Sequence, residues 1–250
     1  MASLVSAQQV VFEDSFDDNI TSNATGTGQL VPLNLSPGNV TASEAGGRLL
    51  FSNAVSGSGR EGLIDGPVLL LFGFRLSFDY QATGNFNSQT LNIGLFDDPT
   101  DLDVGLTGPD VFGSGSTGNG LGFGALARGG RVIPGLIEQT GGAGGSAIST
   151  LQTNGLPALN DQSVSGSVSI TFNPDTTYSF TANGQTTTGT LPATSGFNLA
   201  NPLHLLVITQ GAEDVSIDNL LLESLTVPEP TSLAFFALAG LGIFTRRRRY

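Results

Sequence analysis

The sequence predicts an all-β protein: a two-sheet antiparallel β-sandwich followed by a single short hydrophobic helix at the C-terminus. Three observations lead to this prediction. Apolar and polar residues alternate with period two in several segments, which is typical of half-buried strands. The 250 residues include 35 Gly and 12 Pro, and only 12% are charged, which suits strands and turns better than helices. No ten-residue window before residue 226 shows helical spacing of its apolar residues.

The individual strands follow from the same patterns. The clearest alternation runs from Phe72 to Tyr80, where large apolar residues occupy every even position. The Asn183-Gly184 pair predicts a tight turn into a strand of threonines. Between Gly105 and Gly145 lie 15 glycines, so we expect long loops there around one or two short strands. The predicted strands are 72–80, 91–95, 121–127, 168–172, 178–180, 203–208 and 215–222.

Many short strands with Gly-rich turns favour two sheets packed face to face, and a jelly roll is the predicted topology. The segments 11–18, 74–80 and 215–222 resemble strands of the concanavalin A-like and laminin-G-like sandwiches. This resemblance implies that the first and last strands lie near one another. A galactose-binding-type jelly roll often begins and ends in the same way, so the two topologies stay open.

The charge is divided unevenly along the chain. Residues 1–226 contain 20 acids and five arginines, a net charge of −15, whereas residues 227–250 carry +3. A body this acidic is repelled by phosphate backbones, so we expect no nucleic-acid partner. The chain has no lysine and no cysteine, which excludes Schiff-base and thiolate chemistry, P-loop phosphate binding and a disulfide framework.

The last 24 residues combine three features. A Val-Pro-Glu-Pro segment precedes an apolar run that ends just before four consecutive arginines. As a helix over 230–245, this run would span roughly 22 Å, short of the roughly 30 Å of a hydrocarbon core, although snorkelling arginines and local thinning cover part of the difference. A buried helix of the main domain is the alternative, but four terminal arginines suit a cytoplasmic membrane face better.

This three-part order resembles the PEP-CTERM sorting signal of exported proteins in biofilm-forming Gram-negative bacteria. The resemblance implies a precursor held transiently in the inner membrane, cleavage by an exosortase-type membrane protease, and release to the cell surface or exopolysaccharide matrix. It implies a sorting motif formed by Pro228, Glu229 and Pro230. It also implies a membrane anchor formed by Leu233, Phe235, Phe236, Leu238, Leu241, Ile243 and Phe244. The stop-transfer cluster would be Arg246, Arg247, Arg248 and Arg249. The expected organisation is then a sandwich domain at 8–226 and a sorting signal at 227–250.

An exported precursor needs an N-terminal signal, and residues 1–7 show only part of one. Val5-Ser6-Ala7 before Gln8 has the small residues that precede a signal-peptidase cut, but no basic segment or apolar run comes before it. We interpret residues 1–7 as the remnant of a signal peptide whose true start lies upstream of Met1.

Candidate catalytic residues are few. The single histidine, His204, lies in an apolar segment and is expected to be a strand residue rather than a base or ligand. Glu61 with Asp65, or Glu213 with Asp214, could supply a glycosidase's two carboxylates, but neither pair differs from ordinary loop acids. A GxGxxG match at 113–118 has no βαβ context, which favours a flexible turn over a nucleotide site.

We therefore expect a structural or interaction protein rather than an enzyme. A weak carbohydrate-binding, lectin-like module is the alternative, and a glycoside hydrolase is less favoured. The chain has no Trp and three Tyr, so sugar binding would depend on polar loop residues and not on an aromatic platform. Polysaccharide is accordingly an expected partner only under that alternative.

No cofactor is required by these predictions, but structural calcium is an open alternative at two places. The first is a loop with four carboxylates in seven residues, for which a solvated acidic turn is the other interpretation. The second would join the two chain ends, where exposed strand-end acids are the other interpretation. The candidate ligands are Asp97, Asp98, Asp101 and Asp103 in the loop, and Glu13, Asp14 and Asp218 at the chain ends.

Overall fold

The computed structural model describes residues 8–18, 29–33, 40–53, 60–82, 90–97, 118–126, 134–141, 147–156, 164–210 and 215–225. These residues form strands and turns and contain no helix. A helix long and apolar enough to cross a membrane is accordingly not found within these ranges. The predicted C-terminal helix lies outside the described residues, as do all the sorting-signal residues.

The described residues form fifteen strands. Their bounds are β1 Gln8–Asp14, β2 Val31–Leu33, β3 Val40–Glu44, β4 Leu49–Asn53, β5 Arg60–Val68, β6 Phe74–Ala82, β7 Thr90–Phe96, β8 Gly120–Leu126, β9 Gly135–Thr140, β10 Ala147–Gln152, β11 Val164–Phe172, β12 Thr177–Ala182, β13 Gln185–Thr190, β14 Leu203–Gln210 and β15 Val215–Leu225.

The strands pair into two antiparallel sheets. Sheet I has the order β13-β12-β11-β6-β15-β4-β3, with β1 also paired to β15. Sheet II has the order β10-β9-β8-β7-β14-β5-β2. The all-β, two-sheet sandwich predicted from the sequence is thus confirmed.

The core lies between the sheets and is built by the alternating residues of both. Phe123 of sheet II packs its ring against Phe78 and Tyr80 of sheet I, with ring centroids 5.5 and 5.1 Å apart. At one end of the sandwich, Phe172 and Phe197 stack edge to face at 5.4 Å. Such offset and edge-on contacts are the favoured geometries for aromatic rings, and here they join the two layers.

Strand β15 lies in the middle of sheet I. One of its edges pairs with β6 along most of its length, and the other pairs first with β4 and then with β1. The expectation that the first and last strands of the sandwich are neighbours is confirmed, since Gln8 lies opposite Leu225.

The outer faces of the two sheets differ. On sheet I, the outward side chains of β6 are polar and at least partly exposed. On sheet II, every residue of β7 from Leu91 to Phe96 is buried, so both faces of this strand are covered. The outward, buried apolar residues of sheet II are Phe96, Ile137, Leu206 and Ile208.

One predicted strand boundary was wrong. Phe72 continues the alternation that leads into β6, but the strand begins only at Phe74. Gly73 has a left-handed φ of +93°, which interrupts the extended backbone just before β6. Its N–H donates to Leu70 O at 2.8 Å and closes a turn. Phe72 consequently lies in the β5–β6 connection and is exposed.

Candidate functional site

The outer face of sheet I carries a continuous set of polar side chains. Three adjacent strands, β11, β6 and β15, alternate inward apolar residues with outward polar ones. The outward polar residues are Ser165, Ser167 and Ser169 of β11; Arg75, Ser77, Asp79 and Gln81 of β6; and Asp218, Asn219 and Glu223 of β15.

Asp79 is at the centre of this face. Its carboxylate accepts a hydrogen bond from Ser167 Oγ on one side and from Asn219 Nδ2, at 2.9 Å, on the other. The sheet order β11-β6-β15 places the two donors on opposite sides of Asp79. Residues far apart in the sequence thereby form one hydrogen-bonded row across three strands.

A β-bulge in β15 positions Asn219. The register of β15 against β6 shifts between Asp218 and Leu221, and Asn219 takes a left-handed φ of +51°. Its N–H donates to Asp218 Oδ1 at 2.7 Å, a local bond that stabilises the bulge. Asn is one of the few non-glycine residues that tolerate this conformation, and the bulge directs its side-chain amide to Asp79.

Two arginines flank the row. Arg48 donates from Nε to Ser216 Oγ at 2.8 Å and forms a 3.4 Å ion pair with Asp218. Arg75 donates from Nε to Ser169 Oγ at 3.3 Å and lies 4.0 Å from Glu223. Each guanidinium is thus held beside the row with part of its surface exposed.

Two depressions of about 240 and 340 Å³ meet at Asp79 and Ser167. We call them together the polar groove. Its polar lining residues are Arg48, Arg75, Ser77, Asp79, Gln81, Ser165, Ser167, Ser169, Thr181 and Asn219. Carboxylate, amide, hydroxyl and guanidinium groups in one row offer both donors and acceptors, which is the chemistry needed to bind a ligand rich in hydroxyl groups.

The calcium site expected at the chain ends is not formed. Strands β1 and β15 are paired, but among the described residues no group of three or more acidic or histidine side chains could hold a metal ion. Asp14 is buried and accepts the N–H of Phe16 at 2.7 Å, whereas Asp218 is bound to Arg48 on the outer face. The carboxylates therefore serve separate local structures, and Glu13 lies opposite Leu221.

Burial makes Asp14 a weaker acid than an ordinary aspartate. Desolvation raises the pKa of its carboxyl to about 6, against the opposing effect of the Phe16 hydrogen bond, and the charges of Asp18 and Asp17 raise it further. Phe16 has a φ of +53°, so the Asp14 carboxyl fixes a tight turn just after β1.

In the acidic loop, the structure describes Asp97 only; Asp98, Asp101 and Asp103 lie outside the described residues. Asp97 Oδ1 accepts the N–H of Asn119 at 2.6 Å, and its Oδ2 accepts the side-chain amides of Asn119 and Asn201 at 3.2 and 3.0 Å. Asn119 Oδ1 in turn accepts the N–H of Gly141 at 3.0 Å. Through these bonds, Asp97 and Asn119 connect the ends of strands β7, β8, β9 and β14 of sheet II. Calcium binding by the acidic loop stays a prediction.

The other singled-out residues are dispersed. His204 lies on β14 opposite Phe96, as a strand residue. Asp65 accepts the N–H of Gln29 at 3.2 Å, on the same strand β5 as Glu61. Glu213 and Asp214 lie outside the described residues, as does most of the GxGxxG segment.

The polar groove was not predicted from the sequence. A signal was present, because Ser165, Ser167 and Ser169 alternate with apolar or small residues just as the polar residues of β6 do. What the sequence lacks is the register that brings Asp79, Ser167 and Asn219 together.

Comparison with known families and structures adds two findings. Residues 226–249 match the PEP-CTERM protein-sorting motif. This confirms the resemblance of the tail and indicates a protein that is exported to the cell surface and processed by exosortase. No curated protein matches the chain in sequence.

Solved structures resemble the sandwich in fold. The Emp46p carbohydrate recognition domain in its potassium-bound form aligns at a TM-score of 0.54 and 12% identity, over 86% of this chain and 98% of that one. A galectin-like protein of unknown function from Bacillus subtilis aligns at 0.53 and 9%, over 88% and 97%. The laminarinase catalytic domain from Thermotoga maritima aligns at 0.52 and 10%, over 88% and 99%. At these identities the likeness shows the fold alone: a jelly-roll sandwich of the galectin and concanavalin A-like kind.

Proposed function

We propose that this protein is a structural or interaction protein of the cell surface or exopolysaccharide matrix, because its chain combines a PEP-CTERM sorting motif with a galectin-like sandwich. The observation that carries this proposal is the motif match at residues 226–249. In this proposal, Pro228-Glu229-Pro230 directs exosortase processing, the apolar run from Leu233 to Phe244 holds the precursor in the inner membrane, and the arginines stop transfer.

Membrane fractionation tests the sorting route. An epitope-tagged body is expressed in a host that carries the matching exosortase. Replacing Arg246–Arg249 by Ser should perturb orientation, because four guanidinium groups crossing hydrocarbon cost several kcal/mol each, about 2.5–3.5 on the mildest scales. Changing Pro228-Glu229-Pro230 to Ala should leave membrane insertion intact and block release. A body that is equally cytosolic with and without residues 227–250 would contradict the proposal.

A second candidate function is weak carbohydrate binding in the polar groove. The row Ser167–Asp79–Asn219 supports it, because a carboxylate with flanking amide and hydroxyl groups can exchange its internal hydrogen bonds for those of sugar hydroxyls. The polar groove follows β6 from Arg75 to Gln81, which is about 20 Å at 3.3–3.4 Å per residue and suits part of a polymer. The carbohydrate-recognition fold of Emp46p is consistent with this candidate.

A glycan array probed with the body, residues 8–225, tests this candidate. Saturable binding to one sugar class is expected, and Asp79→Asn should weaken it at least tenfold, since one charge-assisted acceptor becomes neutral. The matched control is Asp175→Asn, which removes the same charge from the β11–β12 turn of the same sheet. Silence across the array, or equal loss in both variants, would leave the structural role alone.

The proposed role is non-catalytic. Asp79 and Asp218 are opposite each other on β6 and β15, as the two carboxylates of a glycosidase would be, but each accepts hydrogen bonds from neighbouring groups of the groove. Carboxylates held by donors of the groove are placed to accept hydrogen bonds from a ligand's hydroxyl groups, which supports binding rather than hydrolysis. Glycans that bind should therefore release no reducing sugar on prolonged incubation.

A further inference from the structure

The β5–β6 connection exposes three large apolar side chains within four residues. Leu69, Leu71 and Phe72 are 61%, 52% and 48% exposed, while Leu70 between them is fully buried. We call residues 69–72 the apolar turn. Leu70 anchors the turn in the core, and the Gly73–Leu70 hydrogen bond closes it, so the three exposed side chains are held outward by a fixed backbone.

The surface beside the apolar turn is also largely apolar. A cavity of about 210 Å³ adjoins the turn and is lined by Leu71, Phe172, Pro174, Phe197 and Leu199, among others. Neither the segment 67–73 nor the segment 192–203 contains a charged residue. Asp175, between the cavity-lining residues Pro174 and Thr176, is an exposed acid beside this surface. In a body of net charge −15, a mainly apolar end is nevertheless a distinct surface, of the kind that marks contact with a partner or a membrane.

The sorting tail leaves the sandwich at this same end. The N–H of Leu225, the last residue of β15, donates to Gly73 O at 2.9 Å. Seven residues, 226–232, separate Leu225 from the first residue of the apolar run, Leu233. Fully extended, the eight Cα–Cα steps from Leu225 to Leu233 reach at most about 29 Å, so a membrane-held tail keeps the end of the sandwich that carries the apolar turn within that distance of the bilayer.

We propose that Leu69, Leu71 and Phe72 insert into the interfacial region of the inner-membrane bilayer while the tail holds the precursor there. This inference rests on the proposed membrane tether of residues 227–250. The partner is lipid, because a membrane-held tail keeps these side chains near the membrane surface, where burying them removes apolar area from water. No basic residue lies in the turn, so the contact is apolar and does not require anionic lipid.

Insertion would set the orientation of the precursor. Strand β6 runs from the apolar turn at Phe74 toward Ala82 at the opposite end of sheet I. The polar groove would then stand roughly along the membrane normal and face water. Release by cleavage of the tail would remove the tether and return the apolar turn to solvent or to a matrix partner.

Single-cysteine labelling tests the proposal, since the natural chain has no cysteine. The full chain is reconstituted into phosphatidylcholine vesicles with an environment-sensitive fluorophore on Phe72→Cys or Leu69→Cys. The control is Ser165→Cys, a near-isosteric change at an exposed position at the far end of β11. We expect a blue shift and strong quenching by a lipid-borne quencher for the two turn labels, unchanged by high salt, and neither effect for the Ser165→Cys label.

Each other outcome overturns the inference. A turn label that is blue-shifted but not quenched by the lipid-borne quencher would be covered by protein, either this chain or a second copy. A turn label that stays water-exposed on a chain that floats with the vesicles would remove the insertion and leave the tether. A chain that does not float with the vesicles would refute the tether, and the insertion with it.

Discussion

The outer faces of the two sheets have opposite characters although both sheets pack on the same core. Sheet I presents Arg75, Ser77 and Asp79 on the reverse of its apolar inner face. Sheet II presents buried Leu206 and Ile208 on the reverse of its own. An alternating strand needs one covered face, whereas a continuously apolar strand needs two. The outer face of sheet I is therefore the one on which we propose carbohydrate binding, and the outer face of sheet II contributes to stability.

The largest expected effect is from truncating the outer face of sheet II. Leu206→Ala should cost about 2–5 kcal/mol of unfolding free energy, because it leaves a cavity at a fully buried position. The matched change Leu69→Ala, at an exposed position, should cost within about 0.5 kcal/mol. Urea unfolding of the body measures both. Equal small losses would mean that the outer face of sheet II does not contribute to the packing.

A second test uses glycine. A Cβ at Gly122 of β8 would lie 2.5 Å from Gly94 Cα of β7 and collide with the carbonyl of Ile93, so the strands would have to separate. Gly122→Ala should cost about 1–3 kcal/mol. Gly166→Ala on sheet I is the control, because its Cβ would meet Tyr80 Cε1 at an ordinary 3.4 Å. Its stability should stay the same or rise slightly; a loss equal to that of Gly122→Ala would contradict the distinction.

A third test concerns the buried carboxyl of β1. The folded pKa of Asp14 is about 6, above the ordinary value of 3.8. Between about pH 4 and pH 6, the folded state therefore keeps this proton, whereas the unfolded state has lost it. The associated stability is fully present below about pH 4 and is lost as the pH rises to about 6. Relative to the wild type, Asp14→Asn should therefore become progressively more stable across this window.

Melting curves of both proteins from pH 3.5 to 8 measure that difference. The control is Ser165→Ala, at an exposed position on the outer face of the same sheet, which removes no titratable group, so its difference from the wild type should not follow this window. A constant difference between Asp14→Asn and the wild type would show that Asp14 is ionised equally in the folded and unfolded states.

The smallest expected effect is on the outer face of sheet I. Arg75→Gln removes a 4.0 Å ion pair with Glu223 in which the arginine side chain is 45% exposed. Pairs of this kind contribute at most about 1 kcal/mol. Unfolding free energies with and without 0.5 M salt should differ little between variant and wild type. A loss comparable to that of Leu206→Ala would mean that the polar groove is a structural network.

The sequence pattern correctly predicted two kinds of strand: alternating strands that are buried on one face, and continuously apolar strands that are buried on both. The alternation through Phe74, Leu76 and Phe78 and the apolar run of β14 both became strands at the expected residues. Phe72 continues the same alternation of even-numbered apolar residues but lies outside the strand, because the positive φ of Gly73 breaks the extended backbone between Phe72 and Phe74. The Asn183-Gly184 turn was predicted correctly, since both residues have the positive φ that this turn requires.

The candidate site could not be predicted in the same way. Asp79, Ser167 and Asn219 come from three strands, and their meeting depends on two registers and one bulge that periodicity does not encode. The expected contact of Asp14 with Asp218 had the right strands but the wrong faces, because Asp14 turns inward to bind Phe16 N–H. Local patterns thus identify which residues face out, and pairing decides which of them meet.

The position of β15 also sets when this protein can finish folding. The last described strand of the chain lies between β6 and the strands β4 and β1, so sheet I has a gap at its centre until residues 215–225 are available. A chain that is translocated from its N-terminus closes this gap only as its final residues emerge, and long-range pairing of this kind is slow. The sorting motif at 226–249 follows directly, so the strand that closes sheet I and the motif become available together.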